Sequence, residues 1–336
     1  MIKILLAILT VSIIFLLNKF RIKIATNGKL FDKPDKIRKF HKEDTPLLGG
    51  LMIFLPFFLT SLFYIFFQNF EKSFLIILIA SSCCFIVGLI DDAKSLAYKY
   101  KFIFLIIIFY FFCFLEPNLQ INKIFFSSIN KTYSLGGFEI HFTVLCLLLL
   151  TNALNLIDGI DGLCILISII IVNWLMFFFN AFEITNFILN ISLMYIFFLN
   201  LKKNIFLGDS GSIFIGSLIG LNLIYNYNQQ ITQNIIPVEN IFIALMLPGI
   251  DMLRVFALRI YNKKNPFVGD RIHLHHLLLD NKFNNVSILL IFLISSSSPI
   301  LINMLFKINS LLIIVLFLFL YLLFILYLKK NLRKIN

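Results

Sequence analysis

Acidic residues are scarce in this sequence, and several stand where chemistry could use them. Asp91 and Asp92 are adjacent at the end of the apolar run 76–90, with Lys94, Lys99 and Lys101 following. Two neighbouring carboxylates repel each other and need a cation or a basic partner, which is how metal and phosphate sites are built. A polar stop at a membrane surface is the plainer alternative. A second cluster reads Asn-Ala-Leu-Asn-Leu-Ile-Asp-Gly-Ile-Asp-Gly over 152–162. On a helix, Asn155 and Asp158 share a face, as do Asp158 and Asp161, while Gly159 and Gly162 would let backbone approach a ligand. A third, Phe206-Leu-Gly-Asp-Ser-Gly-Ser, offers Asp209 as a metal ligand at a helix start whose amides suit phosphate oxygens. The row Gly208, Ser212, Gly216 and Gly220 has the spacing of tight helix packing.

The fourth cluster is Asp270-Arg-Ile-His-Leu-His-His, with three histidines within four residues. Zinc is the first thought, but no cysteine or suitably spaced further ligand accompanies them. Asp270, Arg271 and the upstream Arg254, Arg259, Lys263 and Lys264 suit a diphosphate better, with a solvated basic loop as the alternative. Nearer the start, Arg38-Lys39-Phe40-His41 precedes Thr45-Pro46 and Gly49-Gly50. Thr45 reads as a helix cap and Pro46 as the first helical residue. Contact with anionic headgroups accounts for most of this basic charge, leaving His41 and the glycine pair as secondary candidates. His141 reads as an interfacial residue outside the chemistry.

The elements that must position these groups are membrane helices. Of 336 residues 60% are hydrophobic, 16% aromatic and 14% charged, more apolar surface than a water-soluble core can bury. Candidate spans fall at about 3–19, 47–67, 74–90, 102–116, 140–154, 160–180, 184–200, 205–226, 236–256, 286–305 and 308–328. The first is kept as a helix and not a cleaved leader, because Lys19, Arg21 and Lys23 follow it in place of small residues. With the N-terminus outside, 24 of the 29 Lys and Arg residues fall on the inner side, so the C-terminus is cytoplasmic. All eleven aspartates lie at or near inner helix ends, making the cytoplasmic face the working face. The net charge of +12 follows this topology and does not call for nucleic acid. Five cysteines inside apolar runs read as core residues without disulfides, and 117–139 as an outer hairpin or loop. The expectation is an all-α polytopic integral membrane protein of about eleven transmembrane helices, one domain over residues 1–336.

In order and spacing, Asp91-Asp92, Asn155-Leu-Ile-Asp158-Gly-Ile-Asp161-Gly-Leu, Phe206-Leu-Gly-Asp209-Ser-Gly-Ser and His273-Leu-His275-His276 resemble the polyprenyl-phosphate N-acetylhexosamine-1-phosphate transferase family, glycosyltransferase family 4. Arg38 to His41, Pro46 and Gly49-Gly50 look like its N-terminal signature. The Asp-Arg-x-His-x-His-His pattern is similar to the branch that transfers N-acetylglucosamine 1-phosphate to start O-antigen, enterobacterial common antigen or teichoic acid linkage units. The peptidoglycan branch, which transfers phospho-N-acetylmuramoyl-pentapeptide, differs there and is the runner-up. The resemblance implies a bacterial cytoplasmic-membrane enzyme in which undecaprenyl phosphate attacks the β-phosphorus of a UDP-N-acetylhexosamine and releases UMP. It implies Mg²⁺, with Mn²⁺ as alternative, on Asp209 and Asp158, and Asn155 helping to organise metal and diphosphate. Asp91 and Asp92 would deprotonate or orient the lipid phosphate, and Asp161 and Phe206 would meet the uracil. Lys101, His275 and His276 would contact phosphates, with His273, Arg271 and His41 completing the substrate contacts. A homodimer is left open.

Two other routes stay open. The lipid phosphate is already largely ionised near neutral pH, so the acidic pair could bind metal without acting as a base, and a covalent aspartyl-phosphate route is the third choice. A transporter would place its ionisable groups near the bilayer midplane within repeats, which this sequence lacks.

Overall fold

Each apolar run folds as a helix, as it must where no water is available to satisfy backbone N–H and C=O groups. The computed structural model describes residues 2–32, 44–67, 71–179, 182–231, 236–265, 271–306 and 308–335. The helices are α1 (Ile2–Lys19), α2 (Arg21–Gly28), α3 (Gly49–Phe67), α4 (Lys72–Lys94), α5 (Tyr98–Leu115), α6 (Glu139–Ile157), α7 (Leu163–Phe178), α8 (Glu183–Leu201), α9 (Gly208–Ile231), α10 (Val238–Tyr261), α11 (Leu274–Asp280), α12 (Asn285–Phe306) and α13 (Ser310–Ile335). Eleven of these coincide with the eleven expected spans, and α2 and α11 are short additions. Among the described residues, eight helices can cross a bilayer by length and composition, or nine if α1 and α2, bent by 68°, count as one broken span. Helix α7 is shorter, and α9 is made less apolar by Asp209, Ser210, Ser212, Ser217, Asn222 and Asn226. The chain is thus an all-α polytopic membrane protein, and its five cysteines are free.

Two compact units divide the chain, the first comprising 1–120 and 140–226. There α3 and α8 pack together and against α1, α7 lies on α8, and α4 packs on α3 and α5. Close approach explains the small-residue row of α9. A Cβ on Gly216 would lie 2.8 Å from Thr151 Cα, and one on Gly220 2.8 Å from Leu147 Cδ2, so α9 packs directly on α6.

Thr45 and Pro46 do not open a helix. They form strand β2 (Thr45–Pro46), paired antiparallel with β1 (Phe31–Asp32), and α3 starts only at Gly49. The reason is a better set of partners: Pro46 C=O accepts from Phe206 N–H, and the Gly49 and Gly50 N–H groups donate to the carbonyls of Phe206 and Leu207. The first turn of α3 is capped by backbone from 206–207 and not by a hydroxyl. A Cβ on Gly49 would sit 2.7 Å from Leu207 Cα, so the glycine pair serves this contact. His41 lies outside the described residues.

The second unit holds 121–139 and 227–336. In it α10 packs on α12 and α13, and α11 packs against the same two helices. The segment 117–139 contains a hairpin of β3 (Lys123–Phe126) and β4 (Lys131–Ser134) in antiparallel register. Buried Glu239, at the start of α10, accepts from the N–H groups of Ser127 and Ser128 at 3.2 and 3.0 Å and so ties down the hairpin turn.

Candidate active site

Three of the four clusters meet in the first unit. Helix α4 ends in Asp91 and Asp92, α6 ends just before Asp158, and α9 begins with Gly208 and Asp209. Gly208 has φ +74, a left-handed conformation glycine adopts without strain, and a Cβ there would fall 2.6 Å from Asp92 Oδ2. Gly88, one turn before the pair, does the same for α9 as a whole, since its Cβ would lie 2.5 Å from Ser210 Cα. Side-chain-free positions therefore let the end of α4 lie flat on the start of α9.

The two adjacent aspartates do different things. Asp92 accepts from the N–H groups of Asp209 at 2.8 Å and Ser210 at 3.0 Å, one through each oxygen. It caps α9 from another helix, where an anion is favoured by the unsatisfied N–H groups and the helix dipole. Asp91 accepts from Leu96 N–H at 2.5 Å through one oxygen and from Lys101 Nζ at 2.8 Å through the other. Lys101 also bonds the carboxylate of Asp209, bridging two acids across α4, α5 and α9. The Asn155 side chain stands next to the Asp209 carboxylate.

The 152–162 segment differs from a continuous helix. Asp158 N–H reaches back to Asn155 C=O at 3.3 Å, α6 stops at Ile157, and a turn carries the chain to α7. Asp158 and Asp161 lie on that turn and not on one helical face. Nor does Gly162 serve a ligand: it has φ +82, its N–H donates to Asn200 Oδ1, and side chains of Phe197 and Leu201 crowd the place of its missing Cβ. Burial, and then the carboxylates of Asp209, Asp92 and Asp161, push the Asp158 carboxyl well above the usual range. Asp161 is half-buried with Lys203 Nζ at 3.9 Å, and Phe206 is half-buried beside the start of α9.

This donor set decides what the cluster could hold. Both oxygens of Asp92 and both of Asp91 are engaged, which leaves Asp158 and Asp209, with Asn155, as hard oxygen donors. Among the described residues no three or more His, Cys, Asp or Glu side chains form a ready-made metal cage. A small divalent cation such as Mg²⁺ asks for less, since it is usually held by one or two carboxylates with substrate phosphates completing its shell. Two carboxylates gathered without enough positive charge are a fitting place for it.

The histidines belong to the second unit and form their own cluster. His273 Nδ1 lies 2.9 Å from Asp251 Oδ2, its ring centroid is 5.8 Å from that of His275, and His275 is 4.0 Å from His276. Burial, and next the mutual repulsion of the rings, holds His275 well below the usual imidazole range. Burial and then the Arg271 guanidinium bring His276 down to about 4, so both are neutral at pH 7. Arg271 is exposed and reaches Asp280 at 3.4 Å, and Asp270 lies outside the described residues. The basic-loop reading of Arg254 and Arg259 does not hold, because both sit in α10, Arg259 fully buried and Arg254 bound to Asp251 at 2.7 Å. Asp251 and Tyr321 stand outside the four sequence clusters. An acid within a membrane-length apolar run, followed three residues later by an arginine, was the available signal.

The model for glycosyl transferase family 4 matches residues 74–226, the stretch that carries the acidic cluster. A Bacillus subtilis (strain 168) protein named a probable undecaprenyl-phosphate N-acetylglucosaminyl 1-phosphate transferase is 28% identical over 302 residues, covering 86% of this chain and 80% of its own. The undecaprenyl-phosphate alpha-N-acetylglucosaminyl 1-phosphate transferase of Escherichia coli (strain K12) is 26% identical, covering 79% of this chain and 73% of its own. One of the same name from Thermotoga maritima is 27% identical, with shares of 78% and 77%.

Proposed function

We propose that the chain is a glycosyl transferase of family 4, whose model it matches over residues 74–226, and that it transfers N-acetylglucosamine 1-phosphate from its UDP-sugar to undecaprenyl phosphate. A phosphate oxygen of the lipid bonds to the donor's β-phosphorus, the bond from that phosphorus to the bridging oxygen breaks, and UMP leaves with that oxygen. The observation that carries this reading is the convergence of Asp158, Asp209, Asn155 and Lys101, with Asp91 and Asp92 behind them.

Two phosphorylated substrates repel each other, so the chemistry needs positioning and charge neutralisation more than it needs proton transfer. Asp158 and Asp209, with Asn155, would hold Mg²⁺, which supplies charge neutralisation at the reacting phosphates. Lys101 brings a second positive charge, held in place by Asp91 and Asp209. Asp92 fixes the backbone that carries Asp209, and its engaged oxygens suit positioning better than proton abstraction. The lipid phosphate is largely ionised at neutral pH and needs no base. Asp161 and Phe206 are assigned to the uracil, and the neutral histidines of the second unit to hydrogen bonds with a phosphorylated ligand. The site faces the cytoplasm of the bacterial inner membrane, where nucleotide sugars are available.

The test is UMP release by detergent-purified protein with undecaprenyl phosphate and Mg²⁺, given UDP-N-acetylglucosamine or UDP-N-acetylmuramoyl-pentapeptide in separate reactions. Release with the first alone is expected. Release with the second alone would move the chain to the peptidoglycan branch.

A further inference from the structure

A carboxylate in a membrane-length helix is costly unless it is fully paired, and Asp251 on α10 is paired on every side. Its Oδ1 accepts from Arg254 Nη2 at 2.7 Å, Tyr321 Oη at 2.7 Å and Leu274 N–H at 3.0 Å, and its Oδ2 faces His273 Nδ1 at 2.9 Å. Arg254 extends the lock, donating from Nη2 to Ile272 C=O at 2.7 Å and from Nε to Tyr321 Oη at 2.8 Å. One buried acid thus fastens α10, α13 and both sides of the residue that opens the histidine turn.

A carboxylate only accepts hydrogen bonds, so the bond to Asp251 puts a hydrogen on His273 Nδ1 and leaves Nε2 as the ring's free pole. That Nε2 is buried and has no partner among the described residues, and the same holds for both ring nitrogens of fully buried His275 and for His276 Nδ1. Buried polar atoms without partners are costly and call for an explanation, and four on one short turn point to groups kept for a ligand.

We propose that Asp251 is a positioning residue, which holds His273 in one tautomer and orientation so that the histidine turn presents its free nitrogens to a phosphorylated ligand. The proposal rests on the transferase reading only for the identity of that ligand, the UDP-sugar donor. Arg254 and Tyr321 act through Asp251, and none of the three needs to touch substrate.

Asp251→Asn keeps the volume but turns an amide N–H₂ or a neutral oxygen toward His273. Nitrogen-15 spectra of histidine-labelled protein in detergent should show the ring hydrogen of His273 on Nδ1 in the wild type and redistributed to Nε2 in the variant. The donor KM in the UMP-release assay should rise ~10-fold or more, the scale on which an orienting partner acts. In a His273→Ala background the same substitution should change KM less than ~2-fold, since the effect runs through that ring. Should Asp251→Asn fail to fold, Tyr321→Phe loosens the same anchor while keeping the acid, and a smaller loss in the same direction is expected. An unchanged tautomer, or a KM effect that multiplies with that of His273→Ala, would overturn the proposal. No UMP release by the wild type would instead remove the transferase reading, and the ring spectra would still decide the positioning role.

Discussion

At the scale of the residue, Lys101 has the most to lose. It is the cation shared by Asp91 and Asp209, and removing it leaves two partly buried carboxylates without their common counter-charge. Lys101→Met should lower kcat by about 100-fold or more while the protein still inserts, and Asp209→Asn should do the same through loss of an oxygen donor. Steady-state UMP release with a parallel membrane-fraction blot checks both, and full turnover by either variant would remove that residue from the account. The histidine turn yields a pH prediction. His276 titrates at about 4 in the fold, below the ~6.5 of an unfolded chain, so between these values the unfolded chain binds the proton first. The stability gained from a neutral ring is present above about pH 6.5 and is lost as pH falls toward 4. Thermal unfolding in detergent should show that slope, and it should flatten in His276→Gln.

At the scale of the element, the contact of α4 with α9 is the part on which the acidic cluster depends. Gly88→Ala would force a Cβ to within 2.5 Å of Ser210 Cα, backbone that cannot swing aside, so the helices must part. A cost of about 1–3 kcal/mol in unfolding free energy, with a matching loss of activity, is expected. Gly136→Ala, in the segment 117–139, meets no atom within 4 Å and pays only for its φ of +48, so its activity should stay at the wild-type level. Much of this level was legible in the sequence: eleven apolar runs became helices because backbone in lipid has few other options. What was not legible depends on partners distant in sequence. Thr45-Pro46 has the residues of a helix start, yet backbone at 206–207 takes the first amides of α3 and leaves the pair extended. Asp91 and Asp92 look equivalent as neighbours, and only the arrival of α9 makes one a cap and the other a lysine partner. Asp251 reads as one more acid near an inner helix end until Tyr321, seventy positions away, is seen to donate to it.

At the scale of the whole molecule, the account requires the acidic ends of α4 and α6 and the start of α9 to face the cytoplasm, the side on which 24 of the 29 Lys and Arg residues were placed. A fluorescent protein fused after Asn336 should be bright and an alkaline phosphatase fused there inactive; the reverse pair would invert the topology. The central claim is that a sugar and its phosphate move together onto a lipid phosphate. It is tested most directly with UDP-N-acetylglucosamine carrying a radioactive β-phosphorus, undecaprenyl phosphate, Mg²⁺ and the purified chain, followed by organic extraction. The account predicts label in the lipid phase in amounts matching the UMP formed, and no such transfer by Asp209→Asn. Label retained in the water phase as UDP, with the sugar alone on the lipid, would contradict it.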